Sequence, residues 1–523
     1  MTFYHRMMRA TPAALCTAAL VLPLAGTGQA AAHPHPPVPT TGSQEILRER
    51  THRLDLYDYR WLCSKHAASD PLLHSARKHY FDLFPDVQPA VVEDGRQQDG
   101  TSLTWTGHLR DKPEHKVVLS ATGLCDHHPD VTKVGFDAEF DLGARVYRIA
   151  LLRERPGWVR VTEEDPALRT KPPADDADFA KPRAPIGQTA KPTLRPLKPR
   201  AAGDPVVIDM IVGYTPAAAA RVGGEQAMVS RIQLAETYLN QAFADSNVQA
   251  SVDVIGWYNT NYYGDQTAAV MLPKLQNAGN TELGARAAQL REQYGVDLVS
   301  VINDVPNGSS GQANLPMPIN AQSDSQAFSV VDVQSIVNWY NFGHEIGHNL
   351  GLFHDRTTLT EQLQGQDYRP YLTTPYSTGY ITPDRRFHTL MAYSSACGQP
   401  CSAVNQYSNT ENTWNGQPLG DRDNNNAAVA RATTPIVAGY RTLKINRQRY
   451  ALTLPPSPGG SVRPSAYGPY RPGTTVTLRA LPDSGYRVAW WEADGVRYYD
   501  LGTTQPTITM DRAHTVTAVF TRT

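Results

Sequence analysis

The sequence predicts an α/β (α+β) central domain on a mixed, twisted sheet, with a β-rich region before it and a small all-β module after it. Within residues 205–443, apolar strand patterns alternate with helical ones. Residues 33–164 and 448–523 instead carry short runs in which apolar and polar residues alternate, separated by glycine and other turn residues. A chain of 523 residues is long enough for several such domains.

The first 32 residues have the pattern of an export signal. Arg6 and Arg9 precede a mostly apolar run at 13–26, and small residues follow at 30–32, where a signal peptidase would cut. The apolar run is shorter than the about 20 residues that a membrane-spanning helix needs, and no later stretch could span a bilayer. We therefore expect a secreted, extracellular protein without a transmembrane anchor.

The charge balance excludes one class of partner. The chain has 49 basic and 50 acidic residues, with no long basic run interleaved with aromatic residues. Nucleic acid is therefore not an expected partner.

Cysteine usage agrees with export. Cys16 lies in the signal, which leaves four cysteines and three pairings. The simplest pairing joins Cys63 to Cys125 and Cys397 to Cys401. The alternative for Cys125 is a free thiolate that blocks a metal site, but this would leave Cys63 unpaired in an oxidising compartment.

The N-terminal residues predict a small β domain and a linker. Strand-like runs at 102–107, 116–120 and 144–151 lie within 33–164. Residues 165–204 are rich in Pro, Lys, Arg, Ala and Asp, which predicts an extended, solvated linker that a protease can reach.

The central domain begins with a nearly continuous apolar strand, the kind that is buried inside a sheet. A short segment, 311–315, is predicted as an edge strand that lines a cleft, because an exposed edge can pair with an extended peptide. The remaining predicted elements are a helix around 232–243, a strand at 250–258, a helix at 283–294, and strands at 297–302 and 327–333.

The segment HEIGHNLGLFHD carries the chemistry. On a helix, His344 and His348 stand one turn apart, so both rings reach one zinc ion at about 2.0–2.1 Å. Gly351 can take a left-handed conformation that ends the helix and returns His354 as a third ligand. A fourth position stays open for water, which is typical of a catalytic site. Glu345 stands beside the ligands, where it can take a proton from the metal-bound water.

The full pattern is specific, with a chance expectation on the order of 10⁻⁴ per chain. The competing interpretation is an amphipathic core helix with satisfied histidines. Apolar positions at helical spacing in residues 336–342 predict that this segment continues the helix upstream.

These residues resemble the metzincin metallopeptidases, whose signature is HExxHxxGxxH followed by a methionine turn. The resemblance assigns the turn to 389–394, with Met391 as a hydrophobic floor under the histidines. Tyr393 matches a tyrosine that astacin-like and serralysin-like members keep near the metal, as a zinc ligand or an oxyanion donor. A packed aromatic is the alternative. Asp355 matches the His-Asp ending of reprolysin-like (adamalysin-like) members, where it stabilises the fold.

The resemblance implies a zinc endopeptidase that cleaves extended peptides and is made as a zymogen. Residues 33–164 are then a propeptide domain, against the alternative of a permanent accessory domain. We expect residues 399–409 to help wall the pocket beside the zinc. The acidic segment 421–426 predicts a helix cap before a helix starting near Ala427; calcium binding there is an alternative without support.

The C-terminal pattern resembles a small bacterial surface-repeat β module. Trp490 and Trp491 could contact a cell wall or polysaccharide, with at least one of them in the core. The rival from another class is a secreted adhesin or cell-wall binding protein with an inactive catalytic domain. The presence of Glu345 argues against this rival, because a protein that only binds does not need to keep the catalytic base. A zinc amidase is a second rival, which the extended histidine motif disfavours.

Overall fold

The computed structural model describes residues 45–63, 72–168, 206–305, 310–499, 501 and 505–523. The expected export signal, and the linker from residue 169 onward, lie outside these residues.

The N-terminal region (residues 45–168) is built from antiparallel strands with a core of its own around the fully buried Trp105. 3₁₀ segments lie at Leu56–Cys63 and Pro166–Leu168. Its strands are β1 (Ile46–Arg53), β2 (Leu73–Ser75), β3 (Lys78–Tyr80), β4 (Ala90–Asp99), β5 (Ser102–Leu109), β6 (Lys112–Thr122), β7 (Gly135–Asp141), β8 (Val146–Leu151) and β9 (Trp158–Glu164).

The central domain (residues 206–447) alternates strands with helices. Its strands are β10 (Val206–Tyr214), β11 (Ala250–Asn259), β12 (Leu298–Asn303), β13 (Gly311–Ala313), β14 (Phe328–Asp332), β15 (Phe387–His388), β16 (Ser402–Ala403), β17 (Thr413–Trp414) and β18 (Gln417–Pro418). Its helices are α1 (Pro216–Val222), α2 (Glu225–Asp245), α3 (Ala268–Gln276), α4 (Gly284–Tyr294), α5 (Ser335–Asn338), α6 (Asn341–Asn349), α7 (Arg356–Gln362) and α8 (Asn426–Val437), with 3₁₀ turns at Ala321–Gln326, Arg369–Tyr371 and Ser394–Cys397.

The five-stranded sheet of this domain is mixed, in the order β11-β10-β12-β14-β13. The four strands β10, β11, β12 and β14 are parallel, and β13 joins antiparallel at one edge. The fold is therefore mixed α/β, as the alternating patterns predict, and β13 is an edge strand. Helix α3 was not predicted, because it is short and contains Pro273.

The helix upstream of the histidine motif is interrupted, so the prediction of a continuous helix through residues 336–342 was wrong. Helix α5 ends at Asn338, and Tyr340 has a φ of 54°, which is left-handed. The Tyr340 ring packs against Tyr238 of α2, with 5.0 Å between centroids. This tertiary contact favours a break at Tyr340, and a separate helix begins at Asn341, although the spacing of the apolar residues is helical.

The opposite edge strand, β11, has its backbone groups bonded by side chains. The Val252 N–H donates to Asn240 Oδ1 at 2.8 Å, and Asn240 Nδ2 donates back to the Val252 carbonyl at 2.9 Å. The Val254 N–H donates to Glu236 Oε1 at 3.1 Å, and Arg471 Nη2 donates to the Val254 carbonyl at 3.3 Å. Side chains thus occupy the positions that another strand would take.

The C-terminal module (residues 450–523) is all β, with Trp491 in its core at 1% exposed. Trp490 is half-buried beside Tyr499, with 5.8 Å between ring centroids. Its strands are β19 (Leu452–Thr453), β20 (Gly460–Pro464), β21 (Thr475–Pro482), β22 (Tyr486–Ala493), β23 (Val496–Tyr498), β24 (Pro506–Thr509) and β25 (His514–Arg522).

The N-terminal region and the C-terminal module share one sheet, which the sequence patterns did not predict. Its order is β1-β9-β8-β7-β6-β5-β4-β21-β24-β2, so β4 pairs with β21 and β24 pairs with β2. Two units that are far apart in the chain are therefore joined through backbone hydrogen bonds.

Both expected disulfides are formed, Cys63–Cys125 and Cys397–Cys401. A disulfide-bonded Cys125 offers no thiolate, which excludes the alternative of a free Cys125 thiolate that blocks a metal site in this structure. Among the described residues, no helix is both long and apolar enough to cross a membrane.

Candidate metal centre

Three buried histidines converge on one point. His354 Nε2 lies 3.1 Å from His344 Nε2 and 3.0 Å from His348 Nε2, and each side chain is at most 2% exposed. Nitrogens bound tetrahedrally to one zinc ion at about 2.0–2.1 Å would lie about 3.3 Å apart. The donor set and its spacing therefore fit a single metal ion of this kind.

The hydrogen bonds of the other ring nitrogens fix the tautomers. Each Nδ1 faces an oxygen that can only accept, so Nδ1 carries the proton and the Nε2 lone pairs point toward the shared position. The pairs are His344 with the Leu390 carbonyl at 2.8 Å, His348 with the Leu352 carbonyl at 2.9 Å, and His354 with Gln362 Oε1 at 3.0 Å.

Local backbone geometry delivers the third histidine. The motif helix α6 ends at Asn349, and Gly351 has a φ of +80°. The chain then turns so that Asp355 becomes the N-cap of α7, whose last residue, Gln362, holds His354. Helix α7 therefore begins directly after His354 and, through Gln362, also orients the His354 ring.

Glu345 is fully buried between the motif helix and the edge strand β13. Asn341 Nδ2 donates to Glu345 Oε1 at 3.3 Å and to the Ser310 carbonyl at 2.7 Å. A Cβ on Gly311 would lie 2.6 Å from Glu345 Oε1, so glycine leaves the room that this carboxylate occupies. The position of the carboxylate thus depends on the start of the edge strand.

The far end of the edge strand is held by the same helix. Asn349 Nδ2 donates to the Asn314 carbonyl at 2.8 Å, and Asn349 is 1% exposed. Amide side chains at both ends of the motif helix, Asn341 and Asn349, therefore fix the strand relative to the histidines. Neither asparagine was singled out from the sequence.

The methionine turn lies directly under the motif helix. Met391 is fully buried, and a Cβ on Gly347 would lie 2.5 Å from its Sδ. A Cβ on Gly379 would lie 2.8 Å from the Met391 carbonyl carbon. Gly347 therefore leaves room for the side chain of this methionine, and Gly379 leaves room for its backbone.

Asp355 joins the methionine turn to the histidine loop. Its carboxylate accepts hydrogen bonds from the Thr358 N–H at 3.0 Å, Thr358 Oγ1 at 2.6 Å and the Tyr393 N–H at 3.1 Å. Burial raises the pKa of this carboxyl above its usual value. The Tyr393 ring lies 4.6 Å from that of His354 and 5.9 Å from that of His344, between centroids.

The segment 399–409 runs beside the methionine turn. Strand β16 pairs in parallel with β15, and the Leu390 N–H donates to the Gln406 carbonyl at 2.8 Å. Farther along, Asn425 caps α8 by accepting from the Ala428 N–H at 3.0 Å, as the capping interpretation predicts.

Comparisons with known proteins agree with this geometry. Residues 204–408 match the reprolysin model described as Metallo-peptidase family M12, and residues 450–523 match the divergent InlB B-repeat domain. The peptidyl-Asp metalloendopeptidase of Stenotrophomonas maltophilia is 26% identical over 356 residues, which cover 66% of this chain and 78% of that protein.

Two solved structures are also similar. Metalloproteinase-II from Bacteroides fragilis is 10% identical, with a TM-score of 0.35, over 60% of this chain and 89% of that one. A chaperone-substrate complex is 18% identical, with a TM-score of 0.35; this chain spans 36% of that chain, with 46% of its own residues matched.

The site and the family match define a zinc metalloendopeptidase. Residues 204–408 are similar to reprolysin-type metallopeptidases, and residues 450–523 are similar to a divergent InlB B-repeat module.

Proposed function

We propose that this chain is a secreted, zinc-dependent endopeptidase, made as a zymogen, in which Glu345 is the general base. The observation that carries the proposal is the convergence of three Nε2 atoms beside a buried carboxylate, next to the edge strand β13. Nine residues separate His344 from His354, so the whole donor set comes from one short segment.

His344, His348 and His354 would hold the metal, and their Nδ1 hydrogen bonds support neutral rings with Nε2 as donor. When bound, zinc lowers the pKa of water and polarises the substrate carbonyl. Glu345 accepts a proton from the attacking water and passes it to the leaving nitrogen. Asn341 holds Oε1 of that carboxylate during both transfers.

The substrate is an extended peptide that pairs with β13. Of the two edges of the five-stranded sheet, β11 has Val252 and Val254 bonded by side chains. The edge at β13 lies next to Glu345 and is fixed there by Asn341 and Asn349. Strand addition at this edge places a scissile bond next to the base.

Met391 packs beneath the three histidine ligands, and the Tyr393 hydroxyl donates a hydrogen bond to the oxyanion that forms during hydrolysis. Close packing of Met391 under Gly347 supports the first role. The Tyr393 ring beside His354 supports the second, because a phenol donor near the metal stabilises developing negative charge.

The preferred peptides carry an aspartate at the cleaved bond. The name peptidyl-Asp metalloendopeptidase, borne by the relatives, motivates this preference. An aspartate needs a cationic partner in the pocket. Arg386 is the candidate, because it is exposed, directly precedes β15, and has its guanidinium 5.7 Å from the Phe387 ring. Paired peptides with Asp or Asn test this, and Arg386→Gln should abolish the difference.

Residues 33–164 are proposed as the propeptide domain, 165–204 as the processing linker, 205–443 as the catalytic domain and 448–523 as the module. The module is proposed to bind a bacterial surface polymer. The Trp490–Tyr499 pair supports this, since Tyr499 is 61% exposed and the Arg497 guanidinium lies 5.6 Å from the Trp490 ring.

A casein digest with and without a chelator tests the function, on protein cut near Arg200. Glu345→Gln should bind one zinc ion and show no peptidase activity, whereas the matched control Glu361→Gln, on the exposed face of α7, should retain both. Full turnover in Glu345→Gln with zinc bound would remove the base from this role. An inert wild-type protein with zinc bound would favour the adhesin instead.

A further inference from the structure

We propose that the N-terminal region stays bound after the linker is cut, as a non-covalent subunit seated on helix α2 and on the sheet of the C-terminal module. The proposal rests on the proposed zymogen function, because it concerns the product of linker cleavage. It changes the expected mature enzyme from a single chain into a two-chain particle.

The first support is shared backbone pairing. Strand β4 is antiparallel to β21, with Arg96 opposite Thr475 and Gly95 opposite Val476. Strand β2 is antiparallel to β24, with Leu73 opposite Ile508. Because the module lies between these two strands of the N-terminal region, their loss would open β21 on one side and β24 on the other.

The second support is a side chain of the N-terminal region inside the module. Leu73 is 1% exposed and packs in the same core as Tyr470, Val476, Ile508 and Met510. Its removal would leave a cavity in that core and expose apolar surface to water. The module core is therefore complete only with β2 in place.

Polar contacts follow the same junction. Ser465 Oγ donates to the Asp94 carbonyl at 2.9 Å, and Thr477 Oγ1 donates to the Glu93 carbonyl at 3.2 Å. A Cβ on Gly95 would lie 2.8 Å from the Thr475 carbonyl oxygen, so a glycine permits this close approach. The backbones of the two units fit each other at van der Waals distance.

The third support lies on the catalytic domain. Along helix α2, Arg231 Nε donates to Asp137 Oδ2 at 2.8 Å, and this pair is largely buried. Ser120 Oγ donates to Gln233 Oε1 at 3.2 Å, in a buried contact. Val118 of β6 is fully buried within the core cluster of the catalytic domain. The N-terminal region therefore contributes core residues to both of the other units.

The experiment uses the full chain carrying Glu345→Gln, with a recognition sequence for a specific protease inserted beside Arg200. After complete cutting, both pieces are expected to elute together from a sizing column at micromolar concentration, and native mass spectrometry should show a one-to-one complex. Separate elution of two folded pieces in plain buffer would overturn the proposal.

Variants identify the junction responsible. Leu73→Ala is expected to weaken retention of the cut piece by roughly tenfold or more. The matched control Leu83→Ala removes an equally buried leucine from the N-terminal region's own core and should leave retention close to wild type. Equal retention in Leu73→Ala and wild type would contradict the proposed seat.

Exchanging the charges of Arg231 and Asp137 tests the same junction if a core variant such as Leu73→Ala fails to fold. Arg231→Asp should weaken retention, because it faces Asp137 with a like charge, and adding Asp137→Arg should restore it. Failure of the second change to restore retention would count against this contact. None of these measurements needs hydrolysis, so a protein without peptidase activity can still retain its N-terminal piece, and an active one can lose it.

Discussion

Gly311 and Glu345 lie so close together that a Cβ on the glycine would be 2.6 Å from Oε1 of the carboxylate. The glycine belongs to the edge strand and the glutamate to the motif helix, so this contact joins the proposed substrate strand to the proposed base. Asn341 spans the same junction by donating to both Ser310 and Glu345. The carboxylate therefore has little freedom to change position independently of the strand.

Gly311→Ala should lower kcat by about 10²-fold while zinc stays bound, because a displacement of about 1 Å at a reacting group costs roughly that much. Steady-state kinetics and metal analysis of the purified variant measure the two quantities. Gly279→Ala is the control, since a Cβ there meets Asn277 Oδ1 at 3.3 Å in an exposed loop. Unchanged kcat in Gly311→Ala would show that the carboxylate tolerates displacement.

Gln362→Leu should weaken zinc binding by roughly 10–100-fold, since it removes the acceptor that orients His354 through Nδ1. Competition with a coloured chelator gives the dissociation constant. Gln366→Leu, at an exposed position just beyond α7, should leave zinc affinity unchanged. The same affinity in both variants would refute an orienting role for Gln362.

The two asparagines of the motif helix should affect different kinetic constants. Asn349→Ala should mainly raise KM, because it releases the Asn314 end of the substrate strand. Asn341→Ala should mainly lower kcat, because it also releases Glu345 Oε1. Initial rates over a range of peptide concentrations separate the constants. Identical effects from the two variants would indicate a general loss of structure.

Asp253→Asn should destabilise the fold by about 3–5 kcal/mol at pH 7, because it removes the buried carboxylate that three largely buried guanidinium groups share. Burial alone would raise the pKa of Asp253, but Arg471, Arg447 and Arg449 lower it well below its usual range. Urea unfolding of both proteins measures the difference.

The pH dependence of that difference follows from the direction of the shift. A carboxyl with a lowered folded-state pKa gives its full stability above the unfolded value of about 4, and loses it as the pH falls through the folded value. The gap between wild type and Asp253→Asn should therefore shrink as the pH falls below about 4. Asp111→Asn, at an exposed pair, should show little effect at any pH. A gap independent of pH would contradict the assignment.

The histidine motif could be predicted because its geometry is local. Helical periodicity places His344 and His348, and one left-handed glycine places His354, within eleven consecutive residues. Buried strands such as β10 were equally predictable from continuous apolar runs.

What escaped prediction depends on contacts between distant segments. The roles of Asn341 and Asn349 exist only because β13 returns beside the motif helix. The break at Tyr340 is set by packing against Tyr238, which lies on another helix. The shared sheet arises from pairing between strands hundreds of residues apart. The alternation of apolar and polar residues predicts each strand, but it does not predict which strand pairs with which.

The side chains along β11 also bear on solubility. An unpaired strand edge is a template on which a second chain can add. Asn240 and Glu236, both from α2, already bond the backbone of Val252 and Val254. We therefore expect the folded enzyme to resist edge-to-edge aggregation at β11, and to admit foreign strands on the side where it can cut them.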